Sequence, residues 1–106
     1  MSANELLSAL KAVAEPTRLR MLELLLGWQG PRAGPVHSGE RGLCLSDLEL
    51  LVGLPHALVS HHLRQLKNAG LARSRRVGKM VMYELTTDGA LLLDAVRATE
   101  ATRADA

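Results

Sequence analysis

The sequence predicts a mainly α-helical fold with one small β-hairpin, and three observations carry that expectation. Leucines recur at three- and four-residue spacing at both ends of the chain. Two shorter apolar stripes in the middle flank Gly53, Leu54 and Pro55, and an alternating run, Val81, Tyr83 and Leu85, follows a basic segment. The first pattern is helical, the second is two helices around a tight turn, and the third is a strand.

The elements follow in order. Leu6, Leu7, Leu10 and Val13 form one helical stripe; Pro16 interrupts it, and Leu19, Leu22, Leu25 and Leu26 resume the period in a second helix. Thr17 can cap that helix, and Pro16 can equally occupy its first turn. Residues 27–42 hold five of the nine glycines and two of the four prolines without apolar periodicity, which predicts a long irregular connection whose distinctive side chains are Trp28 and His37. Ser46 and Glu49 read as a capping box for a short helix ending at Gly53. Pro55 then opens a helix that runs through Ala69 and stops at Gly70, so that 46–69 form a helix-turn-helix. Leu71–Arg76 and Met80–Leu85 are extended around Val77, Gly78 and Lys79, giving a hairpin over 71–85. Asp88 and Gly89 break the pattern before Leu92, Leu93, Val96 and Thr99 mark a final helix over 90–103.

Composition bounds the function. A chain of 106 residues, 47% hydrophobic and 23% charged, is read as one domain over 1–106 with a modest core, the size at which pairing with a second copy often recovers buried surface. Aromatic residues are only 2%, too few to stack the bases of single-stranded nucleic acid. One cysteine allows no intrachain disulfide, and the N-terminus lacks the charged start and apolar core of a secretory signal, so a cytoplasmic location is expected. No apolar run approaches the roughly 18 residues that span a bilayer.

Net charge is +2, yet its distribution is uneven. Residues 1–26 balance to zero and the chain from Glu84 onward sums to −3, whereas Pro55–Tyr83 carries Arg64, Lys67, Arg73, Arg75, Arg76 and Lys79 and no acidic residue. Such a block suits a polyanion, because Lys and Arg that neutralise phosphates release condensed counterions. On the helix after Pro55, Val59, Leu63 and Leu66 share one sector, while Ala57, Ser60, His61, Arg64 and Asn68 occupy the opposite one. Small residues there let a backbone approach a groove floor, and His61 and Arg64 can donate to base edges or phosphate. Helix, tight turn, second helix with a polar outer face, then a basic hairpin is the order of a winged helix-turn-helix.

Ala14, Glu15, Pro16, Thr17, Arg18, Leu19 and Arg20, then Leu43, Cys44, Leu45, Ser46, Asp47 and Leu48, then Val59, Ser60, His61, His62, Leu63, Leu66, Ala69, Gly70 and Leu71 together resemble the ArsR (arsenic-repressor, SmtB-like) family, over nearly the whole chain outside 27–42. The resemblance implies a homodimeric bacterial transcriptional regulator, usually a repressor, that binds a double-stranded operator and pairs through its first and last helices. Leu6, Leu10, Val13, Leu92, Leu93 and Val96 are the matching interface residues, with intrachain core as the competing role. His56, Ala57, Ser60 and His61 fall where base-edge contacts occur, Arg64 where a phosphate contact occurs, and Arg75, Arg76 and Lys79 in the wing. Pro55 stands where the family has a serine cap and His56 where it commonly has glutamine. His62 points toward the apolar sector, where packing with a satisfied ring nitrogen is expected.

The family's sensor sites match poorly. One uses thiolates one residue apart near the short helix, where this chain has Cys44 and then Ser46; the other gathers Asp, His and Glu on the last helix, where Asp88, Asp94 and Glu100 have no histidine after His62. A transition-metal inducer would need a nonstandard pair such as Cys44 with His37, and a lone Cys44 lacks a resolving thiol within the chain. A buried structural cysteine is the favoured reading. Catalysis is disfavoured because His37, His56, His61 and His62 lack a nucleophile with an oriented base. A winged module acting through a protein partner or co-regulator is the alternative, against which the basic block argues.

Overall fold

The structure is a computed structural model describing residues 1–27 and 42–104. Among these residues five helices, α1 (Ala3–Val13), α2 (Pro16–Gly27), α3 (Leu45–Val52), α4 (His56–Asn68) and α5 (Thr87–Ala104), accompany three strands, β1 (Leu43–Cys44), β2 (Ala72–Val77) and β3 (Met80–Leu85). The strands form an antiparallel sheet in the order β1-β3-β2. Trp28 and His37 lie outside the described residues, and so does the Cys44–His37 pairing.

The helix boundaries differ from the sequence reading for local chemical reasons. Pro16 is the first residue of α2, and the Glu15 carboxylate accepts the Arg18 N–H at 2.8 Å, so Glu15 takes the capping part assigned to Thr17, which lies inside the first turn. Ser46 likewise does not cap α3. The two-residue strand β1 holds Cys44 extended, the helix starts at Leu45, and Asp47 Oδ2 accepts both the Cys44 N–H and its Sγ–H, each at 3.1 Å. Glu49 is therefore released from a capping box. Pro55 precedes α4 rather than opening it; its carbonyl accepts the Leu58 and Val59 N–H groups, and α4 ends at Asn68, one residue short of Ala69.

Asp88 and Gly89 do not interrupt α5 but belong to its first turn. Thr86 Oγ1 accepts the Gly89 N–H at 3.0 Å and donates to the Gly70 carbonyl at 2.6 Å, while the Thr86 N–H donates to the Leu71 carbonyl, fastening the start of α5 to the end of α4. Gly89 sits so close to that junction that a Cβ would lie 2.1 Å from the Leu71 carbonyl oxygen. The wing closes at the Val77–Met80 pair, leaving a two-residue turn in which Gly78 has φ +61°. Only the first central position is left-handed, the requirement glycine meets in a tight hairpin.

Helix α2 packs against α1, α3, α4, α5 and β3. Its Met21 and Leu22 join Leu43, Leu48, Val59, Leu66, Leu71 and Leu93 as the largest fully buried side chains. Two residues assigned to a dimer face are thus core: Val13 and Leu93 are buried within the protomer, and Leu92 and Val96 are half-buried against the same cluster. Leu6 and Leu10 remain 44% and 43% exposed, joined on α1 by Leu7 at 56%, and α5 exposes Leu91 at 62%. No helix among the described residues is long and apolar enough to cross a membrane.

Candidate nucleic-acid interface

Helix α4 keeps Val59, Leu63 and Leu66 in the core and turns its other side outward. His56, Ala57, His61 and Arg64 are exposed and Ser60 is half-buried, so the five helix residues singled out from sequence share an accessible face. Gln65, Lys67 and Asn68 extend it toward the wing. Lys67 Nζ donates to Ser74 Oγ at 3.0 Å, tying α4 to β2. By strand alternation Arg76 shares the sheet face of Ser74 and is exposed near the tip with Lys79.

Arg75 is placed differently. Arg73 stands opposite Glu84 on the other sheet face, with Nε 2.7 Å from Oε1, and Arg75 Nε reaches Glu84 Oε2 diagonally at 3.4 Å. Burial pushes the Glu84 carboxyl up, but hydrogen bonds and charge from both arginines outweigh it and hold it below its ordinary value. The acid-free block of the sequence is therefore offset in space by its first acidic neighbour, and Arg76 and Lys79 are exposed wing cations outside these Glu84 pairs.

His62 lies inward, as its sector requires. Its Nδ1 is 3.3 Å from Arg18 Nη1 and 3.8 Å from Glu15 Oε2, and Arg18 Nε donates to the Ala12 carbonyl at 2.6 Å. A guanidinium only donates, so Nδ1 accepts and the ring is neutral. Burial first, then the charges of Arg18 and His61, lower its pKa below 6.5 against the pull of Glu15. For Glu15 burial is again the largest influence and raises the pKa, yet hydrogen bonds from the Arg18 and Thr17 N–H groups, with the Arg18 charge and, once it protonates, His62, bring it below 4.5.

Together with the lowered pKa of Glu84, these shifts make the fold acid-sensitive. The unfolded His62 protonates first as pH falls through 6.5, so stability present above that value is lost below it; Glu15 and Glu84 contribute stability above 4.5 that is lost as pH falls through their folded values. Urea denaturation is expected to give a lower stability at pH 5.5 than at pH 7.5. His62→Asn, which keeps an acceptor for Arg18, should shrink that difference; an unchanged difference would refute the assignment to His62.

The sensor donors do not fit a thiolate metal site. Burial, followed by the adjoining Asp47 carboxylate, raises the Cys44 pKa above its ordinary value and keeps the buried thiol protonated, while the second position is the exposed hydroxyl of Ser46. Asp88, Asp94 and Glu100 are exposed on α5. Among the described residues no group of three or more His, Cys, Asp or Glu side chains is arranged to hold a metal ion.

Sequence reasoning missed two residues of this surface. Glu84 lies just outside the basic block, and only strand register brings it opposite Arg73. Glu49 crosses the turn to His56, with Oε1 2.7 Å from Nδ1; its place in a supposed capping box concealed it.

A three-helix core with a helix-turn-helix, followed by a basic hairpin and a closing helix, defines a winged helix-turn-helix protein. Residues 39–74 match the family model described as bacterial regulatory protein, arsR family. The chain is 37% identical over 94 residues to the HTH-type transcriptional regulator NmtR of Mycobacterium tuberculosis, covering 88% of this chain and 68% of the relative. It is 36% identical over 75 residues to a cadmium resistance transcriptional regulatory protein CadC homolog of Staphylococcus aureus, covering 71% of this chain and about half, 52%, of that relative. Among solved structures, a homodimeric winged helix-turn-helix DNA-binding domain from Mycobacterium bovis, described as a possible ArsR-family regulator, superposes with a TM-score of 0.75 at 25% identity, covering 96% of this chain and 83% of that one. The chain belongs to the arsR family of bacterial transcriptional regulators.

Proposed function

We propose that the protein is a cytoplasmic homodimeric repressor that places α4 of each protomer in the major groove of an imperfect palindrome, with half-sites roughly 34–36 Å apart. One observation carries this reading: α4 buries Val59, Leu63 and Leu66 and presents His56, Ala57, Ser60, His61 and Arg64 beside the exposed wing cations Arg76 and Lys79. The small Ala57 and Ser60 allow close approach, His56 and His61 reach base edges, and Arg64, Arg76 and Lys79 meet phosphates. Arg75 reaches a phosphate only by exchanging Glu84 for it. The homodimer described for the Mycobacterium bovis domain and the exposed leucines of α1 support the two-fold arrangement.

Duplexes selected from a random library test the division of roles. Ser60→Ala or His61→Ala should lower discrimination between selected and random DNA by about tenfold, whereas Arg76→Gln should weaken both alike and reduce the salt slope by about two for a dimer. Helix and wing substitutions with the same effect would contradict that division. A protein-interaction module would select no duplex at all.

A further inference from the structure

We infer that Glu49 is a positioning residue for sequence readout: it fixes the ring of His56 so that the first residue of α4 offers a hydrogen-bond acceptor to the DNA and favours an adenine or cytosine facing it. This inference rests on the proposed groove binding and adds a residue outside the helix that reads it.

The geometry is specific. Glu49 on α3 and His56 on α4 are separated by the tight turn, and Glu49 Oε1 approaches His56 Nδ1 to 2.7 Å. An ionised carboxylate only accepts, so Nδ1 carries the hydrogen. A neutral ring bonded this way has its lone pair on Nε2, at the opposite edge of the imidazole. The His56 side chain is 70% exposed, so that edge is open to a ligand.

Stability does not account for the contact, since a side-chain hydrogen bond this exposed contributes at most about 1 kcal/mol. Its consequence is directional. In the major groove the exocyclic amines of adenine and cytosine donate, whereas guanine presents only the acceptors N7 and O6 and thymine the acceptor O4. An Nε2 acceptor therefore meets a partner on adenine or cytosine, none on thymine, and an unfavourable pairing with both acceptors of guanine. Without the Glu49 acceptor, the proton can move to Nε2 and the ring can donate to guanine. The glutamine common at the equivalent family position carries donor and acceptor together, which a histidine locked by a carboxylate does not.

The test is selection from random duplexes at about pH 8, with the intact chain and with Glu49→Gln, Glu49→Ala, His56→Ala and the Glu49→Ala/His56→Ala double variant. Wild type is expected to enrich a motif in which one symmetric position excludes guanine. Glu49→Gln, which retains an oxygen acceptor, should keep that exclusion, and Glu49→Ala should relax it by about tenfold at that position alone. Both substitutions remove the same charge near the phosphates, so any general gain in affinity is shared and separates from base preference. Adding Glu49→Ala to His56→Ala should change nothing further at that position. A Glu49→Ala motif identical to wild type, or an equal change in the His56→Ala background, overturns the inference and leaves duplex binding standing. Failure of wild type to enrich any motif overturns both.

Discussion

Replacing Leu10 with aspartate is expected to turn the dimer into monomers and to cost at least about a hundredfold in operator affinity. The side chain lies on the outward face of α1 with Leu6 and Leu7, while Ala9, Ala12 and Val13 hold the helix to its own core. A carboxylate at position 10 therefore stays hydrated in the monomer and leaves the protomer fold intact, but pairing would carry it into an apolar contact at high cost. The DNA effect follows from linkage, because two α4 helices held together bind the second half-site at a high effective concentration and a lone protomer must bind each half independently. Sedimentation equilibrium measures the first consequence and operator titration the second. A variant that remained dimeric with unchanged affinity would move the interface away from α1.

Gly89→Ala is expected to destabilise the fold although it adds only a methyl group. Helix propensity alone favours it by about 1 kcal/mol, since alanine replaces glycine inside the first turn of α5. Contact decides the opposite sign. The new Cβ would stand 2.1 Å from the Leu71 carbonyl oxygen, 3.0 Å from its carbon and 3.2 Å from Leu85 Cδ2. That carbonyl cannot easily retreat, because Leu71 is fully buried and its oxygen accepts the Thr86 N–H. Shifting α5 also strains the Thr86 bonds to Gly70 and Gly89. A net loss of about 2–3 kcal/mol is expected, lowering Tm by about 10–20 °C for a chain of this size. Calorimetry measures it; an unchanged or higher Tm would show that the junction yields.

Much of this architecture could be read from periodicity, because α1, α4 and the wing each repeat apolar residues over several turns or strand pairs. The polar sector of α4 was legible for the same reason: burying Val59, Leu63 and Leu66 forces Ala57, His61 and Arg64 outward. Short-range competition hid the rest. Strand β1 is two residues long, too short for a period, yet it shifts the start of α3 and transfers the cap from Ser46 to the Cys44–Asp47 pair. Gly89 resembles a helix breaker until its approach to Leu71 is known. The dimer stripes mixed two roles because helical spacing identifies an apolar side but not what covers it: Val13 and Leu93 are covered by their own chain, whereas Leu6 and Leu10 are exposed. Glu84 and Glu49 act across a strand pair and across a turn, distances at which sequence adjacency carries no charge information.

The central claim is that two copies of α4 and the wing grip duplex DNA through its phosphates, and the salt dependence of binding tests it most directly. If Arg64, Arg76 and Lys79 of each protomer meet phosphates as proposed, six contacts result, and log K should fall linearly with log salt at a slope of about −5, with two protomers bound per selected duplex. A protein that ignores double-stranded DNA at low ionic strength, or binds it with a slope near zero, contradicts the account.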